Sequence, residues 1–303
     1  MRLVIAIGGN ALLKRGEPLS AANQARNMAK SAGGLAQICK RNEVAIVHGN
    51  GPQVGLLALE TSLLKGSAPY PLDVLGAESQ GMIGYVIAQA MRGVLPAREI
   101  AALVTQTLVD ARDSAFDHPA KPIGPVYTKA EVAALALQCD WRFAPDGDHM
   151  RRVVASPKPL DIIELPIILR LIAANVLTIC CGGGGIPVVK DLSVIATQSF
   201  RGLEAVIDKD LAAALLAIKV GADHLIILTD VDGIYADWKQ PSQKLIRSTT
   251  ITQLQAMSFP EGSMGPKVEA ACRFVAQTGN SVSIGNLQAA SAVLSGKAGT
   301  RIS

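Results

Sequence analysis

The residues best suited to chemistry are charged side chains placed where apolar helices begin. In LEAVIDKDLAAALLAIKVGAD the triplet Asp208-Lys209-Asp210 opens a strongly apolar helical stretch, and in FPEGSMGPKVEAACRFV Lys267 follows Gly265-Pro266 at the start of another. A lysine at a helix N-terminus opposes the macrodipole, so it calls for an anionic ligand or a carboxylate nearby. Phosphate is the anion this suggests. The plainer alternatives are a self-paired cap for Lys209 and a solvated side chain for Lys267. LIILTDVDGIYAD adds Asp230 and Asp232 after a strand, where nucleotide or metal contacts sit and where an Asx turn would serve equally.

Three glycine loops follow apolar, β-prone runs: Gly8-Gly9-Asn10, His48-Gly49-Asn50-Gly51-Pro52, and the four glycines 182–185 after Cys180-Cys181. An open α/β sheet places its ligands at the carboxyl ends of its strands, where helix-start N–H groups attract anions. One Gly-Gly turn is an ordinary connector; three at equivalent places are harder to read that way. The spacing excludes two familiar nucleotide loops, since no GxGxxG follows the first strand and no GxxxxGK[ST] occurs. Ser79, in AESQG, only approaches a nucleophile elbow and falls within a helical stretch, which argues against a hydrolase. The four histidines, His48, His118, His149 and His224, lack metal-ligand spacing. His48 either contacts a ligand or orients its loop. Cys180 and Cys181, adjacent at a strand end, are expected to point to opposite sides and to act as small core or pocket-wall residues.

The elements that must position these residues alternate. Runs at 3–7, 44–47, 100–105, 176–179, 224–228 and 281–284 read as strands, several without polar alternation, as expected of strands buried on both faces. Stretches 20–39, 53–64, 76–91, 162–174, 209–220, 263–278 and 287–295 read as helices. The alternation implies an open, mainly parallel sheet covered by helices on both faces, a three-layer αβα sandwich. From about 110 to 159 the chain turns rich in Pro, Asp and Arg, with short β-prone pieces, and reads as an inserted subdomain outside the main sheet.

Composition narrows the function. The chain has 303 residues, 49% of them hydrophobic, and a formal charge of +4 from 29 Lys and Arg against 25 Asp and Glu. Its basic residues are scattered and its aromatics are only 4%, which disfavours a nucleic-acid surface. Five cysteines with no CxxC pair argue against a disulfide framework and for a reducing cytoplasm. The N-terminal apolar run stops at Gly8-Gly9-Asn10, too short for a signal sequence. The longest apolar stretch, 162–181, contains Glu164, Pro166, Arg170 and Asn175, so it reads as a helix followed by a strand rather than a membrane span.

AIGGNAL, HGNGPQVG, KPIGPVY, RRVVASPKP, CGGGGIPVV, EAVIDKDLAA, ILTDVDGIY and GSMGPKVEAA occur in an order and spacing that resembles the carbamate kinases of the amino-acid kinase superfamily, over essentially the whole chain. The resemblance implies an eight-stranded amino-acid kinase fold with a protruding subdomain at about 112–158. It also implies an N-terminal lobe, 1–220, for carbamate or carbamoyl phosphate and a C-terminal nucleotide lobe, 221–303. Gly8, Gly9, Asn10, Gly49, Asn50, Gly51, Gly183 and Gly184 would line the acceptor site. Lys209 and Lys267 would hold the transferring phosphoryl group, Asp210 would orient them, and Lys121 would reach in from the subdomain. Asp208, Asp230, Met264 and Lys267 would face the nucleotide. Mg²⁺ would ride on ATP or ADP rather than on protein side chains, and the protein would be a homodimer.

Other members of the superfamily carry a lysine just before the first Gly-Gly, where this chain has Ala6-Ile7, as carbamate kinases do. The implied reaction is ATP + carbamate ⇌ ADP + carbamoyl phosphate, run toward ATP in arginine or allantoin catabolism. A kinase for another carboxylate, or a silent carbamoyl-phosphate- or nucleotide-binding regulator, is the alternative.

Overall fold

Leu3, Ile5 and Ile7 of the first strand face one helical layer and Val4 and Ala6 face the other, all of them fully buried. Side chains alternate along a strand, so a continuous apolar run is what a sheet covered on both faces requires. The computed structural model describes residues 1–9, 12–13, 16–63, 68–137, 139–191, 199–259 and 263–303.

In chain order the strands are β1 (Arg2–Ile7), β2 (Glu43–His48), β3 (Ile100–Ala102), β4 (Gln106–Leu108), β5 (Lys121–Tyr127), β6 (Arg142–Asp146), β7 (His149–Val154), β8 (Asp161–Ile162) and β9 (Leu177–Ile179). They continue as β10 (Ile186–Asp191), β11 (Ser199–Gly202), β12 (His224–Thr229), β13 (Tyr235–Ala236), β14 (Lys244–Leu245), β15 (Ser248–Thr249), β16 (Val282–Asn286) and β17 (Thr300–Ile302). The helices are α1 (Ala21–Cys39), α2 (Gly51–Leu63), α3 (Leu72–Val94), α4 (Lys129–Ala136), α5 (Leu165–Ala173), α6 (Lys209–Lys219), α7 (Ile251–Gln255), α8 (Gly265–Thr278) and α9 (Ala290–Leu294).

The central sheet has eight strands in the order β15-β17-β16-β12-β1-β2-β9-β3. Every pairing in it is parallel except β16 with β17. Helices α1, α3 and α9 cover one face through Met28, Leu35, Ile83, Ile87 and Val293. Helices α5, α6 and α8 cover the other through Ile168, Ile172, Leu215, Ala271 and Phe274. Burying a Leu, Ile or Phe fully stabilises by roughly 1.5–3 kcal/mol, so these two interfaces outweigh the local cost of the glycine loops between them.

Strand order reverses around β1, which lies between β12 and β2. Because β1, β2, β9 and β12 run parallel, the residues after each of them emerge along one edge of the sheet. An open sheet forms its ligand crevice at such a reversal. The order of strands therefore gathers glycine loops that are far apart in sequence.

A second sheet, β11-β10-β4-β8, stands beside the first, and a three-stranded antiparallel sheet, β5-β7-β6, forms the inserted subdomain with α4. Thr128 and Glu131 close a capping box on α4. The subdomain meets the body where α2 crosses β5. A Cβ on Gly55 would overlap the backbone of Gly124, so the helix and strand approach this closely only because both positions are glycine.

Two sequence readings are corrected. The run 100–105 is not one strand: it is β3, then a break at Leu103–Val104–Thr105, then β4 in the other sheet. The stretch 162–174 does not begin as a helix, because Ile162 pairs with Thr107 in β8 and the helix starts after Glu164, with Pro166 in its first turn. Asn10 of the first glycine loop and the expected helix end at Leu64 lie outside the described residues.

Candidate active site

Two helices begin at the crevice. At the first, Asp208 is the N-cap of α6, its Oδ1 accepting from the N–H groups of Asp210 at 2.8 Å and Leu211 at 3.3 Å. A carboxylate there satisfies two otherwise orphaned donors. The cap turns Lys209 and Asp210 inward, where both are buried. Lys209 Nζ donates to Asp210 Oδ1 at 2.5 Å. At the second helix, Met264 takes the N-cap position of α8 and Pro266 lies in the first turn. Lys267 Nζ, one turn in, donates to Asp210 Oδ2 and to the Ser263 carbonyl, each at 3.2 Å. Lys267 is thus not a solvated lysine, its side chain being 14% exposed.

Lys121, the first residue of β5 in the subdomain, forms an ion pair with Asp208 Oδ2. Asp230 follows β12, accepts from Thr229 Oγ1 at 3.1 Å, and lies near enough to Lys267 to strengthen its hold on its proton. Asp232 accepts from Asn286 Nδ2 at 3.2 Å and from the Tyr235 hydroxyl at 3.5 Å, which makes it a turn residue.

The electrostatics follow from burial and neighbours. Burial would raise the pKa of Asp210, but Lys209 and Lys267 outweigh it and hold the carboxyl well below the usual carboxylate range. Burial lowers the pKa of Lys209, and Asp210 only partly opposes it. Lys267 is also desolvated, but Asp210 and Asp208 carry it above the ordinary lysine value. Around this point Lys121, Lys209 and Lys267 face Asp208 and Asp210, which leaves donors available to an anion.

Backbone from three loops closes the site. Gly8 N–H donates to the Leu228 carbonyl at 2.9 Å and Gly49 N–H to the Ile7 carbonyl at 3.0 Å. The Gly9 carbonyl accepts from Leu12 and Leu13, and a Cβ on Gly9 would meet Pro52. A Cβ on Gly49 would stand 3.2 Å from both Gly9 N and Lys209 Cδ, so the aliphatic stem of that lysine lies directly on the loop. Gly51 opens α2 and lies beside the Pro122 carbonyl of the subdomain. Asn10 lies outside the described residues.

Gly183 and Gly184, in a 3-10 turn after β9, have φ of +63° and +91°. A Cβ on Gly183 would overlap the Asn50 amide, and one on Gly184 would overlap the Ile207 carbonyl, just before Asp208. The turn is therefore threaded between the second loop and the approach to α6, where only glycine fits.

Apart from His48, which the sequence offered as a loop-orienting residue, the supports of these loops were not visible in the sequence. Asn50 Nδ2 donates to Ser79 Oγ at 2.9 Å, and that hydroxyl donates to the Gly76 carbonyl at 2.8 Å, so Ser79 is a buried prop on α3. Gln80 exchanges hydrogen bonds with the Thr105 backbone at 2.8 and 3.0 Å. Thr105 Oγ1 then accepts from Cys181 N–H at 2.7 Å, and Thr107 Oγ1 donates to the Gly184 carbonyl at 2.9 Å. His48 Nδ1 donates to the Gly49 carbonyl at 3.1 Å; burial lowers its pKa to about 4, so it orients the loop as a neutral ring. Cys181 has φ of +51° and has left the strand conformation, so both cysteines face the same core rather than opposite layers. The neighbouring Cys181 thiol and burial raise the pKa of Cys180, and both cysteines are free.

Two cavities, of about 730 and 760 Å³, have none of Lys209, Asp210 or Lys267 in their linings. The cluster itself can hold a polyanion between cationic side chains and backbone N–H groups while leaving one carboxylate fixed behind them.

Comparison with known proteins gives the family. The model of the "Amino acid kinase family" matches residues 1–286. A carbamate kinase of Haemophilus influenzae is 49% identical over 303 residues, all of this chain and 96% of that protein. One from Escherichia coli K12 is 48% identical over 99% of each. Among solved structures, carbamate kinase from Giardia lamblia bound to AMP-PNP superposes with a TM-score of 0.88 at 41% identity, covering 99% of this chain and 98% of that one. The same enzyme bound to citric acid gives 0.91 at 41% identity, covering 99% and 97%. The chain belongs to the amino acid kinase family, within its carbamate kinase branch.

Proposed function

We propose that the protein is a carbamate kinase catalysing ATP + carbamate ⇌ ADP + carbamoyl phosphate, and that it works toward ATP in the cytoplasm. The observation that carries this reading is one buried carboxylate, Asp210, bound by two lysines at the starts of two helices, with glycine loops closing around them. Phosphoryl transfer spreads negative charge over the equatorial oxygens, and positioning and electrostatics provide most of its catalysis. Lys209 and Lys267 have the charge and placement to stabilise that transition state. Asp210 keeps both oriented, and Lys121 brings a third cation from the subdomain. Carbamate is already an anion, so its oxygen attacks without a general base, in keeping with the neutral, loop-supporting role of His48.

Gly8, Gly9, Gly49, Asn50, Gly51, Gly183 and Gly184 would line the acceptor side, in the lobe spanning 1–220. Asp208, Asp230 and Met264 would face the nucleotide, with the lobe 221–303 supplying most of its site. Mg²⁺ would ride on the phosphates of ATP or ADP, since both oxygens of Asp208 are already taken by the α6 N–H groups and by Lys121. When bound, the ion would supply positive charge that offsets that of the phosphates.

Homodimer formation is supported by one apolar stripe. Val74, Met82 and Tyr85 are exposed along one side of α3, and Val104 is exposed just past β3, the edge strand that α3 covers. Among the described residues no helix is long and apolar enough to cross a membrane.

The test is ATP formation from MgADP by purified protein, comparing carbamoyl phosphate with acetyl phosphate and an amino-acid acyl phosphate. Preference for carbamoyl phosphate is expected. Turnover only with another acyl phosphate would assign a different acceptor, and binding without turnover would make the protein a regulator.

A further inference from the structure

Between the inserted subdomain and the start of α3 lies the cavity of about 760 Å³, within the range of roughly 300–1,000 Å³ usual for small-molecule sites. Its walls include Tyr70, Leu72, Phe116, Trp141, Arg152 and Glu204. None of the phosphoryl-site lysines lines it. Arg152, on β7, is only 8% exposed. Its guanidinium lies 4.0 Å above the centroid of the Trp141 ring. Its ion-pair partner among the described residues is Glu204, whose Oε1 is 3.8 Å away, beyond hydrogen-bond reach. Glu204 instead spends its other oxygen, Oε2, on the Leu72 N–H at 2.8 Å. No described residue accepts a hydrogen bond from this guanidinium, and its nitrogens are not sealed from water, so its donors reach solvent at the cavity it lines.

A planar fork of donors fits a carboxylate or phosphate in two-point fashion. Charge chooses between them. Arg142 and Arg152 line the cavity against Asp140 and Glu204, so the lining charges balance and a monoanion pairs with one guanidinium at less cost than a dianion. The aromatic walls at Tyr70, Phe116 and Trp141 favour a flat apolar body beside the charge.

We propose that this cavity is a second ligand site, distinct from the phosphoryl-transfer cluster, for a small aromatic monocarboxylate whose carboxylate pairs with Arg152. The test titrates 4-fluorobenzoate into the full-length protein and follows it by ¹⁹F NMR, with and without saturating AMP-PNP and carbamoyl phosphate. Saturable binding at one site is expected, retained when the active-site ligands are present. Arg152→Gln is expected to weaken it at least tenfold and Tyr70→Ala at least threefold. Non-saturable binding, displacement by AMP-PNP or carbamoyl phosphate, or unchanged affinity in Arg152→Gln overturns the proposal. If Arg152→Gln does not fold, Tyr70→Ala decides, since Tyr70 is 62% exposed and its loss leaves the core intact; unchanged affinity in that variant overturns the proposal equally.

Discussion

Lys267 Nζ lies 3.2 Å from Asp210 Oδ2 although 57 residues separate them in sequence, and the other oxygen of the same carboxylate receives Lys209. An ammonium has three donors. Lys209 uses one on Asp210, and Lys267 uses one there and one on Ser263. Both therefore keep donors for a ligand while their aliphatic stems are fixed. Helices α6 and α8 supply this arrangement by beginning at the same crevice.

The pH profile of turnover should report Lys209. Burial places its pKa below the ordinary lysine value of 10.5, and Lys267 is shifted the other way. The charged amine is the active form, so the rate should fall as pH rises through the lowered pKa of Lys209, before an exposed lysine would titrate. Asp210 supports that charge, so Asp210→Asn should move the alkaline limb to lower pH and reduce kcat. Removing one partner of a buried pair also costs roughly 3–5 kcal/mol of stability. An alkaline limb in the same place in both proteins, with folding verified, would contradict the assignment.

Gly183 should tolerate no side chain. Its φ of +63° strains any β-branched residue, and a Cβ would overlap the Asn50 amide. Gly183→Val is expected to lower kcat/KM by about 100-fold or more, equivalent to roughly 2.7 kcal/mol. Gly221 provides the control, because it has the same φ of +63° with nothing within 4 Å. Gly221→Val should lose stability and keep kcat/KM. Equal kinetic losses in the two variants would show that backbone strain, not the Asn50 contact, is responsible.

Stability should decline in mild acid partly through His48. Its pKa is about 4 in the folded protein against 6.5 unfolded. The unfolded chain therefore takes up the proton first, and stability is lost as pH falls from 6.5 toward 4, by about 3 kcal/mol for the full shift. His224, also lowered to about 4 by burial, adds to the same window. His48→Asn, which keeps a donor for the Gly49 carbonyl, should remove His48's share and leave that of His224. Urea midpoints at several pH values would show this; an unchanged pH dependence in His48→Asn rules the role out.

The parts of the fold that were legible in the sequence are those with local causes. The apolar runs of β1, β2, β9 and β12 are continuous because both sheet faces are covered, and each is followed by a break that glycine or aspartate makes visible. Asp208 before an apolar helix is a capping pattern with a local mechanism. What stayed hidden depends on distant partners. Thr105, in the break between β3 and β4, and Thr107, within β4, act on the Cys181–Gly184 turn more than 70 residues away. Ser79 looks like an ordinary helical serine until Asn50 is placed beside it. The expectation that Cys180 and Cys181 point apart failed because it assumed a strand where Cys181 adopts positive φ.

The most direct test is the rate of ATP formation from carbamoyl phosphate and MgADP by Lys209→Ala, alongside equilibrium binding of AMP-PNP. Loss of a group that stabilises transition-state charge should reduce kcat by about 10³-fold or more while leaving nucleotide binding within a few-fold. Turnover near that of the unaltered protein would mean that Lys209 does not contact the transferring phosphoryl group.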